Sequence, residues 1–176
     1  DLLAEFNIFE VLGVQTREIR HSAFLSWLLD PTANHGLGDY FLRKFLWQVT
    51  DRARTLGMAT ITAFDVDSWN LSDAFVETER HNLDILITNS TDKFVCVVEN
   101  KVHSAEHSDQ LRRYRETVSR EYGQLTPIFV LLSIDGDPAI KEEDASSYVP
   151  LSYAEIAELV QNTIEFRGAN LGRTHV

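Results

Sequence analysis

Two acidic residues and one lysine lie near the ends of two neighbouring apolar runs. Asp84 belongs to the run Leu83-Asp84-Ile85-Leu86-Ile87, and the next run ends in Val97-Val98-Glu99-Asn100-Lys101. Runs of this length that are rich in Val and Ile predict β-strands. Because side chains alternate along a strand, Glu99 and Lys101 point to the same face. A hairpin with its turn at residues 89–92 would place Asp84 beside Glu99 across the strand pair.

These side chains have the chemistry of a metal site. Two carboxylates that converge on one point repel each other unless a cation lies between them, and a hard divalent ion such as Mg2+ suits oxygen ligands. The backbone carbonyl of Asn100 is a candidate for one more oxygen ligand. Lys101 would provide a positive charge or a proton relay beside the metal. We therefore predict metal-assisted hydrolysis of a phosphodiester bond, with Mg2+ or Mn2+ as the cofactor.

The pattern of Asp84 followed by Glu99-Asn100-Lys101 resembles the signature of the PD-(D/E)xK nuclease superfamily. That signature has an acid in one strand and an acid-x-Lys in the next strand. Leu83 stands where the signature has Pro, at a position that the superfamily keeps only loosely. The resemblance implies a restriction-endonuclease-like core and a nuclease activity.

A second motif follows the acid-x-Lys strand. Gln110 and Tyr114 are spaced i, i+4 on a helix predicted from a Ser104 N-cap to Glu121, so they share one helix face. This spacing is similar to the Gln-x-x-x-Tyr motif of RecB-like and lambda-exonuclease-like members. There, the resemblance implies, the two residues position substrate beside the metal. The alternative is an amphipathic helix on which Tyr114 is a core residue and Gln110 is incidental.

A helix near the start of the chain carries another polar stripe. Glu18, His21, Leu25 and Leu28 follow i, i+3, i+7, i+10 spacing, and Pro31 helps to end the helix. The block from His21 to Asp39 looks like a bacterial subgroup of the superfamily. Members often supply a further ligand from such a leading helix, so the resemblance implies Glu18 as first choice and His21 as second. The alternative is that Glu18 complements the helix dipole and His21 caps or packs.

The predicted elements follow the order α-β-β-β-α-β. After an apolar helix through Leu12, we predict helices at 18–30 and from 39 to about 55, and a polar stretch at 65–70. A strand at 74–78 precedes the two motif strands, and the helix to 121 is followed by a strand at 127–132. The glycines at 36 and 38 lack a following Gly-Lys-Ser/Thr, so we reject a nucleotide site. An acidic, turn-rich loop then leads to a capping box, Ser152 to Glu155, that opens a last helix. This order predicts an α/β fold, a restriction-endonuclease-like core with a mixed sheet flanked by helices.

Composition is that of an ordinary globular chain. Its 176 residues fit one domain, 1–176, with 44% hydrophobic residues and no run of about 18 apolar residues that would indicate a membrane span. The single cysteine fits a reducing compartment, so we expect a cytoplasmic protein. The chain starts at Asp and shows no natural stop, so we expect it to be a piece of a longer protein.

The net charge of −11 argues against tight binding of duplex DNA, since DNA binders normally have a basic surface. Arginines 112, 113, 115 and 120 are nevertheless grouped on the helix after Lys101. We predict a metal-dependent nuclease that acts on DNA, with RNA as the alternative substrate. The alternative function is a catalytically silent nuclease-fold module that binds a protein or nucleic-acid partner.

Overall fold

The computed structural model describes residues 18–58, 61–101 and 109–171, with side chains described for 20–167 within those ranges. It contains these elements: α1 (Glu18–Leu29), α2 (Tyr40–Thr55), α3 (Ala63–Ser68), β1 (Phe75–Thr78), β2 (Ile85–Asn89), β3 (Phe94–Lys101), α4 (Gln110–Glu121), β4 (Thr126–Ser133), α5 (Glu142–Ala145), β5 (Tyr148–Ser152) and α6 (Tyr153–Leu171). The predicted leading helix to Leu12 and the Ser104 N-cap lie outside the described residues.

The five strands form one mixed sheet in the order β1-β2-β3-β4-β5. The pairs β1–β2 and β2–β3 are antiparallel, whereas the pairs β3–β4 and β4–β5 are parallel. Antiparallel neighbours can be joined by a short turn, while parallel neighbours need a crossover connection. Helix α4 makes the crossover from β3 to β4, and the segment that contains α5 leads from β4 to β5. The α/β fold predicted from the sequence is confirmed.

Helices cover both faces of the sheet. On one face, α1, α2, α3 and α6 bury a large cluster that includes Phe41, Phe45 and Val98. On the other face, Val97 packs with Tyr114 and other residues of α4. The strand β3 is therefore buried on both sides, which explains why its sequence is continuously apolar until its last residues.

Two elements differ from the sequence prediction. The sequence predicts only a loose polar stretch at 65–70, but Ala63–Ser68 is a short helix. It begins with a reciprocal capping box between Thr62 and Asp65. The strand β5 was not predicted, because Pro150 interrupts its apolar run and proline lacks the amide hydrogen of a strand. At the end of the strand order, β5 needs only one hydrogen-bonded edge, so proline is tolerated there.

The loop between α1 and α2 contains Gly36, a glycine for which the sequence alone indicates no role. Gly36 has a φ of +66°, and a Cβ atom built there would lie 2.8 Å from the Arg167 guanidinium. That guanidinium donates hydrogen bonds to the carbonyls of His35 and Gly36. Glycine at position 36 thus allows the left-handed backbone of this loop and leaves room for Arg167 of α6.

Within the described residues, no helix has the length and apolar composition that crossing a bilayer requires.

Candidate active site

The two acidic residues of the motif lie next to each other at one end of the β2–β3 hairpin. Ile85 pairs with Val98, so continuing the antiparallel register by one residue places Asp84 opposite Glu99. The backbone N–H of Asn100 donates to Asp84 Oδ2 at 2.8 Å. This bond fixes the Asp84 carboxylate against β3.

Lys101 lies on the same face of β3 as Glu99. Its Nζ atom is 2.9 Å from Glu99 Oε1, and the two side chains are 12% and 1% exposed. Nζ also donates to Gln110 Oε1 at 2.8 Å. Because the pair is shielded from water, the ammonium and carboxylate interact through a medium that screens them less than bulk solvent does.

Gln110 and Tyr114 extend this contact into a chain of hydrogen bonds. Gln110 Nε2 donates to the Tyr114 hydroxyl at 2.6 Å. The hydroxyl in turn donates to the backbone carbonyl of Asn82 at 2.6 Å. This chain of hydrogen bonds therefore runs from Lys101 on β3, along one face of α4, to the turn before β2.

That turn has an unusual backbone. Glu79, His81 and Asn82 have φ angles of 58°, 56° and 63°, a region that residues other than glycine rarely adopt. Each such residue costs on the order of 1–3 kcal/mol and persists only where its surroundings hold it in place. The turn leads within two residues to Asp84, and the bond from Tyr114 is one of the contacts that hold it.

The carboxylates of the site affect the pKa of the Tyr114 phenol. Burial raises the pKa of Tyr114 to about 12, and the carboxylates of Glu99 and Asp84 act in the same direction. The hydrogen bond from Gln110 acts against them. Tyr114 is therefore a neutral hydrogen-bond donor at physiological pH.

Asn100 connects this face of β3 to polar groups on the opposite face. Its Nδ2 donates to Ser22 Oγ at 3.0 Å, and its Oδ1 accepts a short hydrogen bond from the Tyr153 hydroxyl. His21 Nδ1 lies 3.2 Å from the same hydroxyl. Since that hydroxyl hydrogen goes to Asn100, the hydroxyl oxygen is available to accept a hydrogen bond from Nδ1 in the tautomer that carries a proton there.

The donor set of the site suits a hard divalent cation. Mg2+ is usually bound by one or two carboxylates, with water and substrate phosphates completing its shell. Asp84 and Glu99 supply two carboxylates at adjacent positions of the ladder. Over residues 18–58, 61–101 and 109–171, no group of three or more His, Cys, Asp and Glu forms a fuller metal cage.

The structure brings six predicted residues into one connected group, in which Asn100 links Asp84 to β3: Asp84, Glu99, Asn100, Lys101, Gln110 and Tyr114. His21 lies on the opposite side of β3, against Tyr153, and the side chain of Glu18 lies outside the described residues.

Sequence reasoning missed Ser22, Tyr153 and the Asn82 carbonyl. Ser22 and Tyr153 are 78 and 53 positions from Asn100. No local pattern could therefore pair them with it.

Comparison with known proteins agrees with this geometry. The family model of the PD-(D/E)XK nuclease superfamily matches residues 6–173. No curated protein and no solved structure gives a significant match. The match covers nearly the full chain, including both motif strands, α4 and the mixed sheet. The chain therefore belongs to the PD-(D/E)XK nuclease superfamily.

Proposed function

We propose that this protein is a metal-dependent nuclease that hydrolyses phosphodiester bonds of DNA, with RNA as the alternative substrate. The observation that carries the proposal is the convergence of Asp84, Glu99 and Lys101 at one end of β3, held by the Asn100 N–H bond at 2.8 Å and the lysine pair at 2.9 Å. Membership of a nuclease superfamily supports the same reaction class.

In this proposal, Asp84 and Glu99 bind Mg2+ or Mn2+, and the Asn100 carbonyl is a further oxygen donor. Glu18 is the first choice to complete or orient the metal shell, whereas His21, on the opposite side of β3 against Tyr153, would act only by orienting its neighbours. The metal, when bound, would lower the pKa of a water molecule and neutralise phosphate charge.

Lys101 orients or deprotonates the attacking water and stabilises charge that develops on the phosphate. Gln110 holds Lys101, as the 2.8 Å bond between them supports. Tyr114 holds Gln110 and the turn before Asp84.

The test is an activity screen with linear duplex, circular duplex, single-stranded DNA and RNA, each with Mg2+, Mn2+ or EDTA. Asp84→Asn preserves side-chain volume but removes the charge, so it should lower turnover at least about a hundred-fold. Lys101→Ala should also abolish cleavage, but it leaves Glu99 buried without its ammonium, so its folding must be checked by circular dichroism.

Asp51→Asn is the matched control, because Asp51 is exposed on α2 and pairs only with its neighbour Arg54 among the described residues. Equal cleavage by wild type, Asp84→Asn and Lys101→Ala would refute the assignment. A folded wild type that binds nucleic acid or a protein partner but cleaves no substrate would instead favour the silent-module alternative.

A further inference from the structure

Asn100, the middle residue of the motif, is held on three sides. Its backbone N–H donates to Asp84, while its side-chain amide donates to Ser22 and accepts from Tyr153. Ser22 belongs to α1 and Tyr153 begins α6. A single residue thus connects the candidate metal ligand on one face to two helices on the other face.

The hydrogen bonds of Asn100 lie in a buried environment, where water cannot replace a lost partner. Asn100 is 1% exposed, and His21 and Ser22 are also buried. A buried amide that loses a partner is left unsatisfied and moves to find another. Because the side chain and the backbone N–H belong to the same residue, a displaced side chain would loosen the backbone N–H that holds Asp84.

The ring of His21 extends the cluster one step further. It packs edge-on against Tyr153, with ring centroids 5.3 Å apart, and its Nδ1 lies within hydrogen-bonding distance of the hydroxyl. His21 therefore contacts both the ring and the hydroxyl of Tyr153, and so holds in place the group that donates to Asn100.

We propose that Tyr153 and Ser22 are positioning residues of the nuclease site, which fix Asn100 and through its N–H the carboxylate of Asp84. The catalytic role in this inference rests on the proposed function, but the hydrogen bonds of Tyr153 and Ser22 to Asn100 do not depend on activity. Groups that orient a metal ligand typically contribute about 10- to 100-fold in metal affinity or activity. Tyr153 itself touches neither substrate nor metal in this proposal.

The decisive variant is Tyr153→Phe, which keeps the ring and removes only the hydroxyl. Tyr148→Phe is the matched control, because the Tyr148 hydroxyl also makes a buried hydrogen bond, to the Leu111 carbonyl at 3.1 Å. Three quantities are measured for each: the hydrogen-exchange rate of the Asn100 backbone amide by NMR, the Kd for Mn2+, and kcat and KM for DNA cleavage.

We expect Tyr153→Phe to raise the Asn100 amide exchange rate about ten-fold or more and to weaken Mn2+ binding about 10- to 100-fold. Its kcat should fall while KM stays nearly constant, because the substrate contacts remain. Tyr148→Phe should lose comparable resistance to denaturant and change none of these three quantities. Ser22→Ala, which removes the other side-chain partner, should reproduce the pattern if Tyr153→Phe does not fold.

Equal Asn100 exchange rates and equal Mn2+ affinities in Tyr153→Phe and Tyr148→Phe would overturn the proposal. If the wild type neither binds Mn2+ nor cleaves DNA, but Tyr153→Phe still accelerates Asn100 exchange selectively, the nuclease assignment fails and the positioning contact stands.

Discussion

Lys101 has two partners that together define the direction of its ammonium group. Glu99 holds Nζ from the same strand, and Gln110 holds it from the start of α4. A lysine side chain is flexible, so two fixed acceptors remove much of its rotational freedom before substrate arrives. Under the proposed function, this preorganisation would keep the ammonium directed at the attacking water.

Gln110→Ala tests whether the hydrogen-bond chain from Lys101 through Gln110 to Tyr114 contributes to turnover. It should lower turnover about 10- to 100-fold, because Lys101 loses one of its two acceptors. Stability should change by less than about 1 kcal/mol, since Gln110 is only half-buried and contributes little to packing. Turnover and the denaturation midpoint are measured on the same preparation.

Gln161→Ala is the control for this prediction, because Gln161 is an exposed residue of α6 that bonds only Glu165 among the described residues. Full activity of Gln110→Ala would mean that the Gln-x-x-x-Tyr spacing is a coincidence of an amphipathic helix. The assignment of Asp84, Glu99 and Lys101 would survive that result, but the RecB-like resemblance would not.

Tyr114 should make the fold sensitive to alkaline pH. Its pKa rises from 10.0 in the unfolded chain to about 12 in the fold, chiefly through burial. The neutral phenol is thus favoured in the native state, so its contribution to stability is complete below pH 10 and is lost as the pH rises towards 12. Urea titrations between pH 9 and about 12 should show a shallower decline of unfolding free energy for Tyr114→Phe than for wild type. Parallel declines in the two proteins would contradict this role.

Helix α6 begins at a capping box that also ties it to α2. Glu155 accepts hydrogen bonds from the Ser152 backbone and hydroxyl and pairs with Arg52 at 2.5 Å. Burial raises the pKa of Glu155, but the bonds from Ser152 and Arg52 outweigh it, so the net shift is downward. The stability from this cap is therefore present above the usual pKa of 4.5 and is lost as the pH falls through the lower native value.

Ser152→Ala should destabilise the protein by about 1 kcal/mol at neutral pH, because the first turn of α6 loses its cap. Ser146→Ala is a suitable control, since its hydroxyl bonds only the Glu143 carbonyl among the described residues. Ser146 is the C-cap of α5 through its backbone N–H, which alanine keeps, and its side chain caps no helix N-terminus. The denaturation midpoints of both variants are compared with that of wild type. A Ser152→Ala midpoint no lower than that of Ser146→Ala would contradict the capping role.

Local patterns in the sequence predicted most of the elements and which residues of the candidate site lie together. Strand alternation placed Glu99 with Lys101, and helix periodicity placed Gln110 with Tyr114, because both relations depend only on backbone geometry. The capping box at Ser152 is confirmed for the same reason. What sequence could not predict are contacts between distant segments, such as Tyr153 with Asn100, and the left-handed turn at 79–82, which has no glycine to mark it.

The acidity of the chain is reflected in how its arginines are used. On α4, Arg112 pairs with Glu116, Arg115 with the buried Asp144, and Arg120 with Glu121. The grouping of arginines seen in the sequence is therefore largely neutralised by acids within the fold. With a net charge of −11, the protein as a whole lacks a strong general attraction for phosphate. Binding of a nucleic acid under the proposed function would therefore depend on the bound metal ion and on Lys101.

The hairpin that joins β2 and β3 also affects the entropy of assembling the site. Asp84 and Asn100 are 16 positions apart, whereas Ser22 and Asn100 are 78 apart. The cost of closing a flexible loop grows with the logarithm of its length, so the second contact costs about 1.4 kcal/mol more than the first. That difference corresponds to roughly a ten-fold population ratio in the unfolded chain. Asp84 therefore meets Asn100 roughly ten times as often in the unfolded ensemble as Ser22 of the supporting helix does.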